Sequence, residues 1–405
     1  MTITCRQQKD DMDMKRLFIM IMAVTTVTTI HAQSAIADIL AAIEQNNATL
    51  KAGEESMKAQ KAGNHTDMTL PDPEIGFGYL WGGPGAIGTR KDVSISQTFD
   101  IATISGLKSK VADRKDLLAE WQYKTERMNI LLEAKLCCLD IIYYNAMVRE
   151  LAVRAERAGE IAAARKKSLD NGNGNMLDYN SALLDLAAAN AELTRINAGR
   201  EVAVKQLTRL NGGKSITLSE CEFELVDIPK DFNQWYASAE TKSPALAYVR
   251  QEIEVGKKEL ALNKAMRLPS FSLGYQGEFV KGEHYQGVTV GISVPLWSNK
   301  NKVRQAKAAV RASEAKATDA KQQLYDNLEA LFLRTAGLKK TAEEYRSAVK
   351  KADNSALLKK ALDAGQISIQ EYLAGIGLCY DATDRALEAE RDYQKSYAEL
   401  HAVEL

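Results

Sequence analysis

Four short segments of this 405-residue chain alternate, residue by residue, between apolar and small or polar side chains. In the first, Ile75, Phe77, Tyr79 and Trp81 share a face opposite Glu74, Gly76 and Gly78. In the second, Val93, Ile95 and Phe99 lie opposite Ser94, Ser96 and Thr98. Phe271, Leu273, Tyr275 and Phe279 of the third oppose Ser270, Ser272, Gly274, Gln276 and Glu278. Val288, Val290, Ile292, Val294 and Leu296 of the fourth oppose Thr289, Gly291 and Ser293. Such alternation predicts β-strands with one apolar and one polar face. Each is about 8–10 residues long, enough to cross a bilayer when tilted. The aromatic residues gather near the strand ends, where membrane interfaces place them. Residues 81–90 and 281–287, Gly-rich and polar, read as the loops at one end. A soluble sheet with one wet face would leave two open edges. In lipid such edges are forbidden, because each unpaired backbone group there costs several kcal/mol. Known membrane barrels begin at about eight strands. If the apolar faces meet lipid, sister subunits must complete the ring, and three copies would supply twelve strands.

The chain is also written twice. Leu70-Pro71 recurs as Leu268-Pro269, 198 residues later, and Phe99 and Trp297 stand at the same offset. Gly172 precedes Tyr179, and Gly365 precedes Tyr372, by seven residues each, now at an offset of 193. A shared offset over this length means two copies of one structural unit. Each copy reads helix, strand, strand, long helix, turn, helix. The first repeat spans 33–210, a less regular connection 211–231, and the second repeat 232–405. The opening helices are expected at 34–62 and 232–266.

Residues 104–170 hold no proline and only two glycines, Gly106 and Gly159. At about 1.5 Å per residue, a helix of that length reaches about 100 Å. Leu107, Val111, Leu118, Trp121, Met128, Leu132, Leu136, Leu139 and Tyr143 recur in steps of three, four or their sum, the spacing of a narrow coiled-coil seam. In the second repeat a helix over 299–362 carries Val303, Val310, Ala317, Leu324, Leu328 and Leu331 as its seam. Each long helix stops at residues that tolerate a tight turn, Asp170-Asn171-Gly172-Asn173-Gly174-Asn175 and Asp363-Ala364-Gly365-Gln366. Each returns as a shorter helix over 176–210 and 368–401, with Ser368 placed as an N-cap.

Lys15 and Arg16, the apolar run 17–24 and the small residues ending at His31-Ala32 form a secretory signal peptide over residues 1–32. Met14 is an alternative start that would make residues 1–13 an upstream extension. The chain is 26% charged, too much for a polytopic helical membrane protein. Lys+Arg and Asp+Glu both total 53, which argues against a nucleic-acid partner. Cys137, Cys138, Cys221 and Cys379 read as buried small residues. The four histidines are scattered, and Gly172-Asn173-Gly174 follows a helix rather than a strand, so no dinucleotide loop is indicated. Catalysis, cofactor and resident metal are therefore not expected.

Together, Leu70-Pro71-Asp72-Pro73, Val93-Ser94-Ile95-Ser96-Gln97, Leu268-Pro269-Ser270-Phe271, Val290-Gly291-Ile292-Ser293-Val294-Pro295-Leu296 and the run from Leu362 to Leu373 resemble the TolC-type outer-membrane efflux family. The resemblance implies a mainly α-helical chain with a membrane β-barrel portion. Long antiparallel helical hairpins would form a periplasmic α-barrel, and four strands per chain a trimeric twelve-stranded barrel. It implies a homotrimer in the outer membrane of a Gram-negative bacterium, serving tripartite efflux or type I secretion with a periplasmic adaptor and an inner-membrane pump. Ser94, Ser96, Thr98, Ser270, Ser272, Gln276, Thr289 and Ser293 would face the lumen. Ile75, Phe77, Tyr79, Val93, Ile95, Phe271, Leu273, Tyr275, Val290, Ile292 and Val294 would face lipid. Gly172, Gly174, Gly365, Gln366 and Ser368 are the adaptor-docking candidates, and Asp363 and Asp178 the gate candidates. A periplasmic adaptor and a structural coiled coil are the alternatives.

Overall fold

The computed structural model describes residues 31–85, 88–297, 299–352 and 354–405. Residues 1–30 of the expected signal peptide lie outside them. The first repeat folds as α1 (His31–Asn46), α2 (Ala48–Asn64), β1 (Glu74–Leu80), β2 (Arg90–Phe99), the single turn α3 (Ile101–Ile104), α4 (Leu107–Asp170) and α5 (Met176–Leu210). The second gives α6 (Phe232–Lys242), α7 (Pro244–Ala265), β3 (Ser270–Val280), β4 (Glu283–Ser293), α8 (Lys302–Ala352), α9 (Ser355–Asp363) and α10 (Ile369–Leu400). The chain is mainly helical, with one four-stranded antiparallel sheet.

Three helices expected to be continuous are divided. Asn47 separates α1 from α2, and its side-chain oxygen accepts the Leu50 amide at 2.9 Å. Ser243 separates α6 from α7 and caps Leu246 in the same way at 3.4 Å, with Pro244 occupying the first helical position. The break is thus duplicated along with the rest of the repeat. Capping groups and Pro at N1 start a helix better than they continue one. The long helix of the second repeat stops at Ala352 and restarts at Ser355.

Two compact units emerge, each drawn from both repeats. Of the described residues, one takes those up to Lys51, Arg127–Tyr236 and Asn327–Leu405; the other takes Ala52–Glu126 and Ala237–Asp326. In the first unit Ile43, Ala134, Cys138, Ile141, Ile142, Leu207 and Leu210 form a continuous core. Here α4 departs from its expected narrow seam. Between Cys137 and Met147 nearly every side chain is buried, polar Asn145 included, while Leu132 and Leu136 of the predicted seam are only partly covered. Helices and the 211–231 connection surround this stretch, and a helix covered on all sides needs no single stripe. Asn145 donates to the carbonyls of Leu218 and Glu220 at 3.0 Å each. Tyr393 and Gln394 of α10 donate to those of Val226 and Glu224. The connection is strapped down by side chains in place of secondary structure. In α8, Val310 and Leu328 of the expected seam are buried, with Ala306 beside them, while Val303, Ala317, Leu324 and Leu331 are only partly covered.

The second unit holds the sheet, in the order β1-β2-β3-β4 with every neighbour antiparallel. Residues 281–287 are not a loop. Only Lys281 and Gly282 turn the chain, both with positive φ (33° and 92°), and β4 begins at Glu283. A two-residue turn with left-handed φ matches the twist of the strands it joins. β4 ends at Ser293, so Val294 lies beyond the strand: Pro295, which follows it, has no N–H to extend the ladder.

Asn47 is buried and also donates to the Leu210 carbonyl at 2.8 Å. Replacing Asn47 by Ala should cost about 2 kcal/mol and Ser243→Ala about 1 kcal/mol. Thermal unfolding of the two variants side by side measures this; an Asn47→Ala protein as stable as the parent would contradict the assignment.

Candidate functional site

Two places gather the residues singled out by sequence, and each belongs to a single compact unit. The first is the sheet. The register aligns Ile75 with Ile95, Ile95 with Tyr275 and Tyr275 with Val288, so four strands contribute one apolar row. Phe77 and Val93 form part of another row, Leu273 and Val290 part of a third, and Phe99, Phe271 and Ile292 a fourth. Ile75 and Val290 are 77% and 74% exposed, and the other large apolar side chains of this face are exposed as well, apart from the partly covered Phe99. A contiguous exposed apolar face of this kind marks an interaction surface. Toward the β3–β4 turn it becomes amphipathic: Tyr79, Lys91, Phe279 and His284 make up the last full row.

The opposite face carries Ser94 beside Gln276, Thr98 beside Ser272, Ser270 beside Ser293, and Ser96 and Thr289 on either side of Gly274. Arg90 pairs there with Asp92 at 2.9 Å and Glu278 at 3.1 Å. This face is crowded. A Cβ at Gly291 would come 2.4 Å from Ser272 Oγ, and one at Gly274 2.7 Å from Thr289 Oγ1. At Gly277, on the apolar face, the nearest atom would be 3.5 Å away.

The second place is the pair of hairpin ends. Both are closed by the same hydrogen bonds, 193 residues apart. Gly172 N–H donates to Leu169 O and Asn173 N–H to Ser168 O; Gly365 N–H donates to Leu362 O and Gln366 N–H to Ala361 O. This pattern requires a left-handed residue at the glycine, and φ is 75° at Gly172 and 68° at Gly365. Gly174 is fixed differently: a Cβ there would lie 2.9 Å from the Leu169 amide nitrogen. Asn175 then caps α5 through the Asp178 amide, and Ser368 caps α10 in a full capping box with Glu371. The bonds from Ser368 hold the Glu371 carboxylate below its usual range.

Asp178 therefore occupies in the first hairpin the place of Glu371 in the second. It accepts a bond from Gln370 Nε2 at 3.3 Å, linking the two ends. Asp363 lies 3.6 Å from Lys359 in its own helix and is exposed. Beneath the ends, Ile161, Ala162, Ala182, Leu362, Ile369, Tyr372 and Ile376 form a separate small core. Burial there pushes the Tyr372 hydroxyl up to about 12.

A stronger fastening escaped the sequence reading. Arg154 of α4 holds Asp384 of α10 in a two-bond pair at 2.9 and 2.7 Å and lies over the Tyr380 ring at 4.4 Å. Its side chain is only 7% exposed. Lys395 reaches both oxygens of Asp140 on the same pair of helices. The partners are 230 and 255 residues apart in the chain, and on one helix Arg154 is simply another charge. No short-range signal could have paired them.

A helical chain with paired hairpins and a four-stranded sheet, apolar on one face and polar on the other, has the architecture of an outer-membrane channel protomer. Residues 235–403, within the second repeat, match the outer membrane efflux protein family, and the resemblance to the TolC-type family holds. Among solved structures the chain is similar to a membrane protein from Pseudomonas aeruginosa (TM-score 0.75, 14% identity, 91% of this chain and 93% of that one). It is also similar to the VceC outer membrane protein of Vibrio cholerae (TM-score 0.72, 12% identity, 91% and 96%). The Campylobacter jejuni CmeC outer membrane channel has TM-score 0.71 and 14% identity, over 91% and 85%. No curated protein matches the sequence.

The cysteines divide by environment. Burial pushes the Cys137 thiol up to about 11 and Cys138 to about 12, so the reactive thiolate is scarce at neutral pH. Cys221 and Cys379 are only partly buried. Maleimide at pH 7.5 should modify Cys221 and Cys379 in the folded protein and reach Cys137 and Cys138 only after denaturation. Peptide mass mapping reads the outcome, and rapid modification of Cys138 in the folded state would contradict this packing.

Proposed function

We propose that this chain is one of three identical subunits of an exit duct, whose twelve-stranded barrel crosses the outer membrane. The exposed apolar sheet face, bounded by two free strand edges, carries the reading. No helix of the described residues is long and apolar enough to cross a membrane. The strands can do so only if the edges of β1 and β4 are paired. With an even number of alternating strands, β1 and β4 run in opposite directions, so β4 of one subunit meets β1 of the next as an antiparallel pair. The polar, crowded face then lines a wet lumen through Ser94, Ser96, Thr98, Ser270, Ser272, Gln276, Thr289 and Ser293. Ile75, Phe77, Tyr79, Val93, Ile95, Phe271, Leu273, Tyr275, Val290 and Ile292 turn to lipid. Leu177, Leu184 and Val202 of α5 stand 74%, 73% and 68% exposed, which supports burial against a neighbouring subunit.

The duct works passively, with the driving energy supplied by an inner-membrane pump. A periplasmic adaptor docks at the hairpin ends, against Gly172, Gly174, Gly365, Gln366 and Ser368. Opening is a shift between two packings of the hairpins, biased by the adaptor. Asp178 and Asp363 remain candidates for holding the closed packing, and the Arg154–Asp384 pair joins them as the most enclosed contact between the hairpins.

Two experiments test this. Val290→Arg or Ile292→Arg should cost about 2–4 kcal/mol of barrel stability near the bilayer midplane, with Ser293→Arg much better tolerated. Heat-dissociation of the trimer in reconstituted lipid measures it, and equal tolerance on both faces would sink the barrel. Asp384→Ala leaves a buried guanidinium unpaired, a loss of about 3–5 kcal/mol, and should raise the open probability in planar bilayers. Unchanged conductance in Asp384→Ala and in Asp363→Ala would remove both from the gate.

A further inference from the structure

At the end of the sheet away from the β3–β4 turn, the chain leaves β4 through Pro295, Leu296 and Trp297 and enters α8. A cavity of about 480 Å³ opens there. Arg267, Lys300, Arg304 and Lys307 line it, and no carboxylate does. None of the four makes an ion pair with a carboxylate among the described residues. Lys300 and Arg304 also flank the start of α8, whose first turn holds no acidic residue. The N-terminal end of a helix carries partial positive charge and favours anions, so cations gathered there are electrostatically misplaced unless a negative group joins them. Asn299 donates to the Met266 carbonyl and so ties the segment carrying Arg267 to the start of α8.

The duplication shows that the fold does not require these charges. At the offset of 198, the first repeat has Thr69, Ala102, Gly106 and Ser109 where the second has Arg267, Lys300, Arg304 and Lys307. The same framework is built twice; the first copy has Lys108 and Lys110 at the start of its long helix, but there Asp100 lies 4.0 Å from Lys108. Beside the cavity, Leu296 and Trp297 are 68% and 79% exposed. Bare apolar and aromatic side chains next to unpaired cations match a molecule with a negative head and a hydrocarbon tail.

We propose that this cavity binds the phosphate of an anionic phospholipid, with the acyl chains lying along Leu296 and Trp297. This rests on the reading of the sheet as a membrane barrel and adds a lipid-selective site at its inner rim. The bound headgroup neutralises the cations and fixes the depth of the barrel where the strands give way to helix.

The test uses the full chain reconstituted in bilayers containing brominated phosphatidylglycerol or brominated phosphatidylcholine. Quenching of Trp297 is taken as the quenched emission lost in Trp297→Phe. The site predicts preferential quenching by phosphatidylglycerol. Arg304→Gln should lower that preference roughly fivefold, and Arg267→Gln/Lys300→Gln/Arg304→Gln/Lys307→Gln should abolish it. Lys108→Gln/Lys110→Gln in the first repeat should leave it unchanged. Equal quenching by both lipids, or a preference that survives in the fourfold variant, overturns the proposal. So does loss of the preference on adding inorganic phosphate at constant ionic strength, which would assign a free-anion site. No quenching by either lipid places Trp297 outside the bilayer and overturns the barrel reading itself.

Discussion

Unpaired backbone along the outer edges of β1 and β4 is the constraint from which the rest follows. A four-stranded antiparallel sheet satisfies its inner N–H and C=O groups and leaves two rows unmet. Water can meet those rows, but the neighbouring face is covered with Ile75, Phe77, Val290 and Ile292, which water does not favour. A sheet that wants hydrocarbon on its face cannot leave its edges to hydrocarbon. The proposed pairing between subunits would satisfy both demands. At Gly274 and Gly291 on the polar face a side chain would collide with Thr289 and Ser272, so glycine is required there.

The helical part bears on the proposed opening. Its cores are several and small rather than one and large. The cluster around Cys138 and Leu207 is separate from the one around Tyr372 and Ile376 at the hairpin ends. Between them α4 and α10 are laced by Asp140–Lys395, Tyr143–Arg391 and Arg154–Asp384. Contacts of that kind have defined geometry and can be exchanged one set for another, whereas a continuous apolar core resists sliding. Both hairpins end in the same glycine-dependent closure, so the proposed opening would fall to the helices rather than the turns.

Much of this was legible in the residues. Alternation located all four strands, and the Gly172 and Gly365 turns stood out because few residues accept left-handed φ. Boundaries were harder. Residues 281–287 looked like a loop because Gly282, Glu283 and Gly287 are poor strand formers, yet β3 supplies a partner for every one of them from Glu283 onward. The duplicated breaks at Asn47 and Ser243 were written in capping residues but hidden inside long helical patterns. The seam of α4 was misjudged between Cys137 and Met147, where periodicity fades because several neighbours share the burial. The Arg154–Asp384 pair had no local signature at all. Tertiary contacts across more than 200 residues leave only a charge on each helix to be read.

The most direct test of the shared barrel is the mass of the purified mature chain, measured by light scattering with and without detergent. The account predicts a particle of three chains that requires detergent or lipid to stay in solution. A single chain that remains dispersed in plain buffer would contradict it.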